Sequence, residues 1–264
     1  MSGFTSVLGT LMRDLRASVR FGADAKSRFR LSTDFVLSRC IPLIPMRERN
    51  RVREVRLRAD VKIQYRLNKG DLHSIREIWF EDDYRLPFES SCGVLLDLGA
   101  NIGMASVWLA KMYAFTQVIA VEPDPKNAAL VRNNLELNGI LGQVLEAAIG
   151  PREGTARFEF SDFSNLGRLS EDGSSVQMLS VDAIVKKFAV TRFALIKIDI
   201  EGGEQALFDG PTEWLANTDA IIMELHPNVV DCPRLTSLVS SHGFRYIPAH
   251  SFFFDNLPCF TRIQ

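Results

Sequence analysis

The residues whose types and spacing could do chemistry fall at four points of the chain. Asp97 closes an apolar run and opens the turn Asp97-Leu-Gly-Ala-Asn-Ile-Gly103. Glu122 closes a second apolar run, Gln117 to Val121. Asp199 and Glu201 stand two apart after a third run, and Glu224 and His226 repeat that spacing after a fourth. Glycine at 99 and 103 permits positive φ and lets the backbone approach a ligand closely. The helical apolar spacing from Met104 to Met112 puts a helix N-terminus, with its free N–H groups, directly after that turn. Asp97 can accept hydrogen bonds from the loop or from a ligand ammonium. An acid closing the second strand of a βαβ unit can take both hydroxyls of a ribose, so Glu122 predicts a ligand of the adenosine type.

The glycine pattern chooses among such ligands. The dinucleotide fingerprint is G-x-G-x-x-G, whereas here the pattern is D-x-G-x-x-x-G with Asn101 in place of the second glycine. That favours a ligand without phosphates, such as S-adenosylmethionine, over NAD. The small-sided stretch Ala147-Ala-Ile-Gly150 leaves room for a flat ring such as adenine.

In an open α/β sheet, ligands sit beyond the carboxyl ends of the strands. Residues two apart face the same way if extension persists, so Asp199, Glu201, Glu224 and His226 should share one mouth beside Asp97 and Gly99. Methyl transfer from a sulfonium requires in-line placement, a dry pocket and removal of the acceptor's proton. His226 is the first choice of base, since an ordinary pKa of about 6.5 leaves it largely neutral at pH 7; Asp199 is the other. Two carboxylates and a histidine can instead hold Mg²⁺ or Mn²⁺. The metal-free arrangement ranks first because the cofactor needs Asp199, so no metal is expected. Blander roles exist: Glu201 can cap the helix at Gln205, and His226, before Pro227, can satisfy a carbonyl.

The elements that must position these groups alternate. Strands are expected at Val94–Leu98, Gln117–Val121, Gln143–Ile149, Phe193–Ile198 and Ala220–Leu225, with helices between, which defines a doubly wound, mostly parallel sheet. Thr155–Phe160 and Val176–Leu179 read as an antiparallel pair around the polar loop Ser161–Ser175, and Phe244–Ile247 and Ser251–Phe254 as two final strands. Upstream, Phe4 to Phe21 has the spacing of an amphipathic helix with Leu8, Leu11, Leu15 and Val19 on one side. Ile41-Pro-Leu-Ile-Pro45 looks like a linker, and Arg47–Arg66 is strand-like with arginines between apolar positions. Asp71 is placed to cap a helix running through Phe80. Tyr84 either closes over the ligand or packs.

The chain of 264 residues is 46% hydrophobic, enough for one α/β domain with additional elements. Its net charge of −1 argues against wholesale nucleic-acid binding and hides an asymmetry. Residues 1–66 carry fifteen Lys/Arg and six Asp/Glu, a balance of +9, against −10 for the rest. Those arginines read either as a solvated hairpin edge or as an electropositive rim for an anionic substrate. Four widely spaced cysteines suit a reducing compartment. The most apolar window, Cys92–Ala110, contains Asp97, Asn101 and three glycines, so no membrane span is expected and a cytoplasmic location is.

Together, Asp97-Leu-Gly-Ala-Asn-Ile-Gly103, Val121-Glu-Pro123, Ala148-Ile-Gly150, Lys197-Ile-Asp-Ile-Glu-Gly-Gly-Glu204 and Glu224-Leu-His226 resemble the FkbM-type methyltransferase family. The resemblance spans roughly residues 70–250, and K-x-D-x-E-G-x-E is its most specific part. It implies an S-adenosylmethionine-dependent O-methyltransferase with a Rossmann-like, doubly wound, seven-stranded, mostly parallel sheet of class I. The acceptors it implies are hydroxyls of sugars, glycan precursors or polyketide-type metabolites. Carried over, Asp97, Gly99, Ala100, Asn101, Ile102 and Gly103 would hold the loop and methionine side of the cofactor. Glu122, with Pro123 after it, would hold the ribose, Ala148 and Ile149 would flank adenine, and Asp199 would border the methionine amine; Tyr84 belongs to the cofactor set only on its closing reading, outside what the resemblance implies. The catalytic set would be His226, Asp199, Glu201 and Glu224. Residues 1–90 then form a basic helix/hairpin extension, and 91–264 the methyltransferase domain. The expected partner is a small or glycan hydroxyl acceptor, anionic ones included; DNA is not expected, and a homo-oligomer is compatible with the sequence.

Three rivals are weaker. Tyr65-Arg-Leu-Asn-Lys69 spells the Y-x-x-x-K of some reductases, but it precedes the glycine loop and runs into a turn. A nucleic-acid methyltransferase would end its fourth strand in Asp/Asn-Pro-Pro-aromatic, not Asp-Ile-Glu-Gly, and Cys259 lies too near the C-terminus to be a cytosine nucleophile. A non-catalytic cofactor-binding scaffold in a glycan assembly complex would not need the acid–histidine cluster.

Overall fold

The computed structural model describes residues 2–90, 92–159, 168–169, 172–248 and 257–263. Two helices, α1 (Ser2–Phe21) and α2 (Ala25–Leu37), are followed by a 3₁₀ turn (Ser38–Leu43) and the one-turn α3 (Met46–Arg49). An antiparallel hairpin comes next, β1 (Val52–Leu57) and β2 (Val61–Arg66), with Val55 opposite Ile63. The proline stretch is therefore partly structured and not a plain linker: Ile41 is buried within that 3₁₀ turn. On β1 the side chains alternate, Val55 and Leu57 buried, Arg56 and Arg58 exposed. Arg53 reaches back to Asp34 on α2.

Helix α4 (Lys69–Ile75) is capped by Asn68, whose Oδ1 accepts from the Asp71 N–H at 2.7 Å. The expectation that Asp71 is the cap is thus corrected. Asp71 lies in the first turn, fully buried, and forms two 3.0 Å bonds with Arg66. The helix does not run on unchanged to Phe80: Arg76–Phe80 is a π-helical turn. Such turns recur at functional sites because they re-aim side chains.

From β3 (Gly93–Leu98) onward, strands and helices alternate as expected: α5 (Met104–Met112), β4 (Phe115–Val121), α6 (Pro125–Leu137) and β5 (Gly142–Leu145). Then the chain departs from the expectation. The third strand does not run to Ile149. β6 (Ala148–Ile149) leaves the main sheet for a second, four-stranded one, where it pairs parallel with β9 (Ser174–Leu179). β7 (Gly154–Glu159) pairs antiparallel with β9 and with β8 (Arg168–Leu169). The loop expected at Ser161–Ser175 falls largely outside the described residues.

The chain returns through α7 (Val181–Phe188), β10 (Phe193–Ile198), α8 (Glu204–Phe208), β11 (Ala220–Met223), α9 (Cys232–Ser241), β12 (Phe244–Ile247) and β13 (Cys259–Arg262). The Ser251–Phe254 segment expected as the last strand lies outside the described residues. The antiparallel strand is β13, inserted between β11 and β12. The seven-stranded sheet has the order β12-β13-β11-β10-β3-β4-β5, and its pairs from β11 to β5 are parallel.

Parallel central strands are buried on both faces, which is why β10 is apolar except for Lys197. Alternate side chains feed two cores. Leu95, Val118 and Leu195 pack with Trp108, Leu130, Phe35 and Tyr65, so the N-terminal elements share one core with α5 and α6. Leu96, Ile119 and Ile196 pack on the other face with Ile184, Leu207 and Leu235. Helix α1 is tied to this body by Asp14, 1% exposed, which accepts from Arg39 and Arg76. Among the described residues, no helix is long and apolar enough to cross a membrane.

Candidate active site

A cavity of about 330 Å³ opens at the carboxyl ends of β3, β4, β10 and β11. Its glycine-loop end is built by main chain. The N–H groups of Gly99 and Ala100 both donate to Val121 O at 3.0 Å, which folds the loop after β3 back across β4. Gly99 has φ +77°, and a Cβ there would lie 1.8 Å from the Asp199 carbonyl oxygen. Only glycine lets the loops after β3 and β10 touch. Asn101 takes φ +50° and donates its N–H to Glu122 Oε2 at 2.8 Å. The other Glu122 oxygen accepts from the Asp124 N–H at 2.9 Å. Burial raises the Glu122 pKa to about 8, and these hydrogen bonds only partly offset it.

Of the sequence-derived cofactor set, Gly99, Ala100, Asn101, Glu122, Pro123, Ala148, Ile149, Asp199 and Tyr84 line the cavity. Asp97, Ile102 and Gly103 do not. Asp97 is fully buried behind the wall, accepting from Ser106 Oγ at 2.5 Å and paired with Lys197 Nζ at 3.2 Å. It pairs with a lysine and does not line the cavity. Ile102 is a core residue, and Gly103, φ +81°, lets α5 start against Val131, 3.2 Å from where a Cβ would sit.

The opposite end is built by side chains. Asp199, Glu201, Glu224 and His226 all line the cavity. Extension does not persist past Asp199, however. Glu201 has φ +52° and Gly202 φ +92°, so a left-handed turn, not strand periodicity, swings Glu201 toward His226. His226 Nε2 lies 3.5 Å from Glu201, and Nδ1 lies 3.1 Å from Glu204 Oε1. Glu204 is fully buried; the same oxygen accepts from the Ile200 and Gly202 N–H groups, and Glu201 does not cap α8.

This geometry changes the charge of His226. Its hydrogen bond to Glu204 is the main cause of a pKa raised above the ordinary 6.5, with Asp199 and Glu201 adding to it against the opposing effect of burial. That shift favours the imidazolium over the neutral ring expected at pH 7. Burial, reinforced by Asp199, raises Glu201 to about 7 and moves Glu224 in the same direction. Ligand atoms of Asp199, Glu201 and His226 lie within 4.8 Å of one another, a spacing that also suits one cation. The imidazolium already supplies positive charge to that cluster.

Several residues escape the sequence-derived set. Lys197 is 3% exposed at its side chain, donates to Gly99 O at 2.7 Å and sits 3.4 Å from Asp199. Burial opposes its charge, but Asp97 and Asp199 prevail and hold it protonated. Its signal was visible: a lysine inside an apolar strand. Glu77 and Asp83, from the π turn and the segment after it, also line the cavity. Burial, then Glu224 and Asp199, raise Glu77 to about 9. Asn127 joins Arg66 to the glycine loop, accepting from Arg66 Nη2 at 2.5 Å and donating to Asn101 Oδ1 at 3.3 Å. No sequence pattern marks that pair.

A seven-stranded sheet in this order, with a glycine loop after its first strand and a cavity across the strand ends, defines a class I methyltransferase fold. The methyltransferase FkbM domain model matches residues 97–246, and the chain belongs to that family. It is 29% identical over 182 residues to the hexuronic acid methyltransferase AglP of Haloferax volcanii, covering 64% of this chain and 74% of that protein. It is 20% identical over 191 residues to the 31-O-demethyl-FK506 methyltransferase FkbM of Streptomyces tacrolimicus, covering 58% and 73%. Among solved structures, a methyltransferase FkbM from Methylobacillus flagellatus superposes with a TM-score of 0.49 at 16% identity, over 97% of this chain and 60% of that one.

Proposed function

We propose that the protein is an S-adenosylmethionine-dependent O-methyltransferase acting on a hydroxyl of a sugar, a glycan precursor or a secondary metabolite. The observation that carries this is one continuous cavity with Glu122 and Asn101 at one end and Glu224 and His226 at the other. Glu122 takes the ribose hydroxyls through its remaining lone pairs, Ala148 and Ile149 flank the adenine, and Asp199 receives the methionine ammonium. Lys197, fixed between Asp97 and Asp199, sets the position of that carboxylate. The sulfonium then faces the acid–histidine end.

There the acceptor hydroxyl must lose its proton as the methyl group transfers. Glu224 is assigned the role of base: it lines the cavity beside His226, and its pKa, raised by burial to about 8, lies nearer the working range than that of His226, raised to about 9. The neighbouring imidazolium balances the charge of Glu201. The acceptor hydroxyl is taken at this end, which Glu77 and Asp83 also line. Similarity to a hexuronic acid methyltransferase supports a sugar as its bearer.

Calorimetry with S-adenosylhomocysteine and with NADH tests the first half. Binding of the former alone is expected; binding of NADH alone would overturn the reading. Mass spectrometry of glycans and metabolites from cells with and without the protein tests the second, by a product one methylene heavier.

A further inference from the structure

Helix α1 keeps an apolar stripe on its outer face. At roughly 100° per residue, Leu8, Met12, Leu15 and Val19 fall in one sector about 60° wide. Leu8, Met12 and Val19 are 52%, 46% and 54% exposed. The sector facing the body holds Asp14 and Ser18, both buried, with Asp14 held by Arg39 and Arg76, and Phe21, whose ring stacks on Phe80 at 5.3 Å. Ion pairs and this one ring contact dock the helix and leave its apolar stripe outside. Arg13, Arg16 and Arg20 form the flank beyond the stripe. Asp14 is the only acid of α1, so the outward surface carries apolar and cationic groups and no negative charge.

We propose that α1 is an in-plane anchor for an anionic lipid bilayer. Leu8, Met12, Leu15 and Val19 enter the boundary between headgroups and acyl chains, and Arg13, Arg16 and Arg20 meet lipid phosphates. A helix with an apolar stripe beside a basic flank has the distribution that binds such interfaces. A second copy of the chain fits less well, because burying two stripes together brings six arginines to one interface while the one acid of α1, Asp14, is buried against Arg39 and Arg76. The site is separate from the cavity and does not depend on the reaction assigned to it.

The test is co-sedimentation of the full chain with phosphatidylcholine vesicles, with and without about 30% phosphatidylglycerol. Binding to the anionic vesicles, weakened by added salt, is expected. Met12→Glu, Val19→Glu and Arg16→Glu should each reduce partitioning about ten-fold or more, with the thermal unfolding midpoint unchanged because these side chains are exposed. Should a glutamate variant lose cooperative unfolding, Met12→Ser and Val19→Ser carry the same test. Equal partitioning onto neutral and anionic vesicles, or none onto either, overturns the proposal. So does a dimer in sedimentation velocity that the same substitutions dissolve, which would make the stripe a self-association surface.

Discussion

At the glycine-loop end of the cavity, the ligand-facing shape is fixed by main chain: two N–H groups on Val121 O, a left-handed Gly99, and Glu122 bridging the N–H groups of Asn101 and Asp124. At the acid–histidine end it is fixed by charge: Lys197 between two aspartates, and His226 between Glu201 and Glu204. The first end should be the more sensitive to changes of shape, the second to changes of charge. Substitutions that break one end should therefore leave different signatures from those that break the other.

The largest effect is expected from Gly99→Ala. Its Cβ would meet backbone, at 1.8 Å from Asp199 O, where no side chain can swing away. Relief requires parting the loops after β3 and β10, at a cost of about 3 kcal/mol or more. The thermal midpoint should fall and binding of S-adenosylhomocysteine should be lost. An isothermal titration indistinguishable from wild type would show that the two loops are not rigidly joined.

Next comes Glu224→Gln, which keeps shape and removes charge. It should lower kcat by roughly 10²–10⁴ while cofactor affinity holds, as expected of a lost general base. His226→Ala should also lower kcat, through the imidazolium that balances Glu201. If His226→Ala abolished turnover and Glu224→Gln did not, the base would be the histidine. Loss of turnover with chelator and its recovery with Mg²⁺ would place a cation on Asp199, Glu201 and His226.

Titration sharpens the same contrast. A base acts only when unprotonated, so a raised pKa shifts the acidic limb of the kcat profile to higher pH. Both Glu224 and His226 are raised, so the limb should lie above their ordinary values of 4.5 and 6.5. Glu204→Gln removes the hydrogen-bonding carboxylate that is the main support of the imidazolium. The His226 pKa, followed by NMR of its ring, should fall toward 6.5. An unchanged ring titration would mean that Glu204 is not what holds it charged.

The contrast also explains what the sequence made legible. The sheet was readable because buried parallel strands are apolar runs broken by turns, and all five parallel strands fall where those runs stand. The glycine loop was readable because backbone constraint leaves glycine as its trace. Glu201 and His226 were found by an assumption, continued extension, that the structure does not support; the left-handed turn at Glu201 reaches the same neighbour by another path. The charge of His226 was out of reach, since Glu204, two positions past the turn, looks like any acid at the start of a helix. The strand expected at Ser251–Phe254 lies outside the described residues, and β13, only four residues long, was not anticipated. Asp97 was expected to face the cavity, but Lys197, arriving from another strand, pairs with it behind the wall.

Glu122→Ala tests the glycine-loop end more gently. Losing the carboxylate frees the N–H groups of Asn101 and Asp124 and removes its bonds to ligand hydroxyls, about 1–3 kcal/mol in cofactor affinity. Because the Glu122 pKa is near 8, its carboxyl and carboxylate forms both occur around neutral pH. Glu122→Gln should therefore cost less than Glu122→Ala. Equal losses in the two variants would assign the effect to charge and erase the distinction between the ends.

The smallest effect is expected one layer behind, at Asn127. Its amide spans from Arg66 on β2 to Asn101 Oδ1 and Glu122 Oε1, at 3.3 and 3.4 Å. These last contacts are long, and Asn101 and Glu122 hold each other at 2.8 Å without it. Arg66 keeps its two bonds to Asp71. Asn127→Ala should therefore cost about 1–2 kcal/mol of stability, for one guanidinium N–H left unpaired in a buried place. It should weaken S-adenosylhomocysteine binding only a few-fold and leave kcat unchanged. Asn127→Asp is the sharper variant. It places a carboxylate beside Glu122, which raises that pKa further and strains the loop, while giving Arg66 a better partner. Stability retained with cofactor affinity lost would show that the N-terminal hairpin sets the glycine loop through this one side chain. A loss of both in parallel would show that Asn127 only holds the hairpin in place.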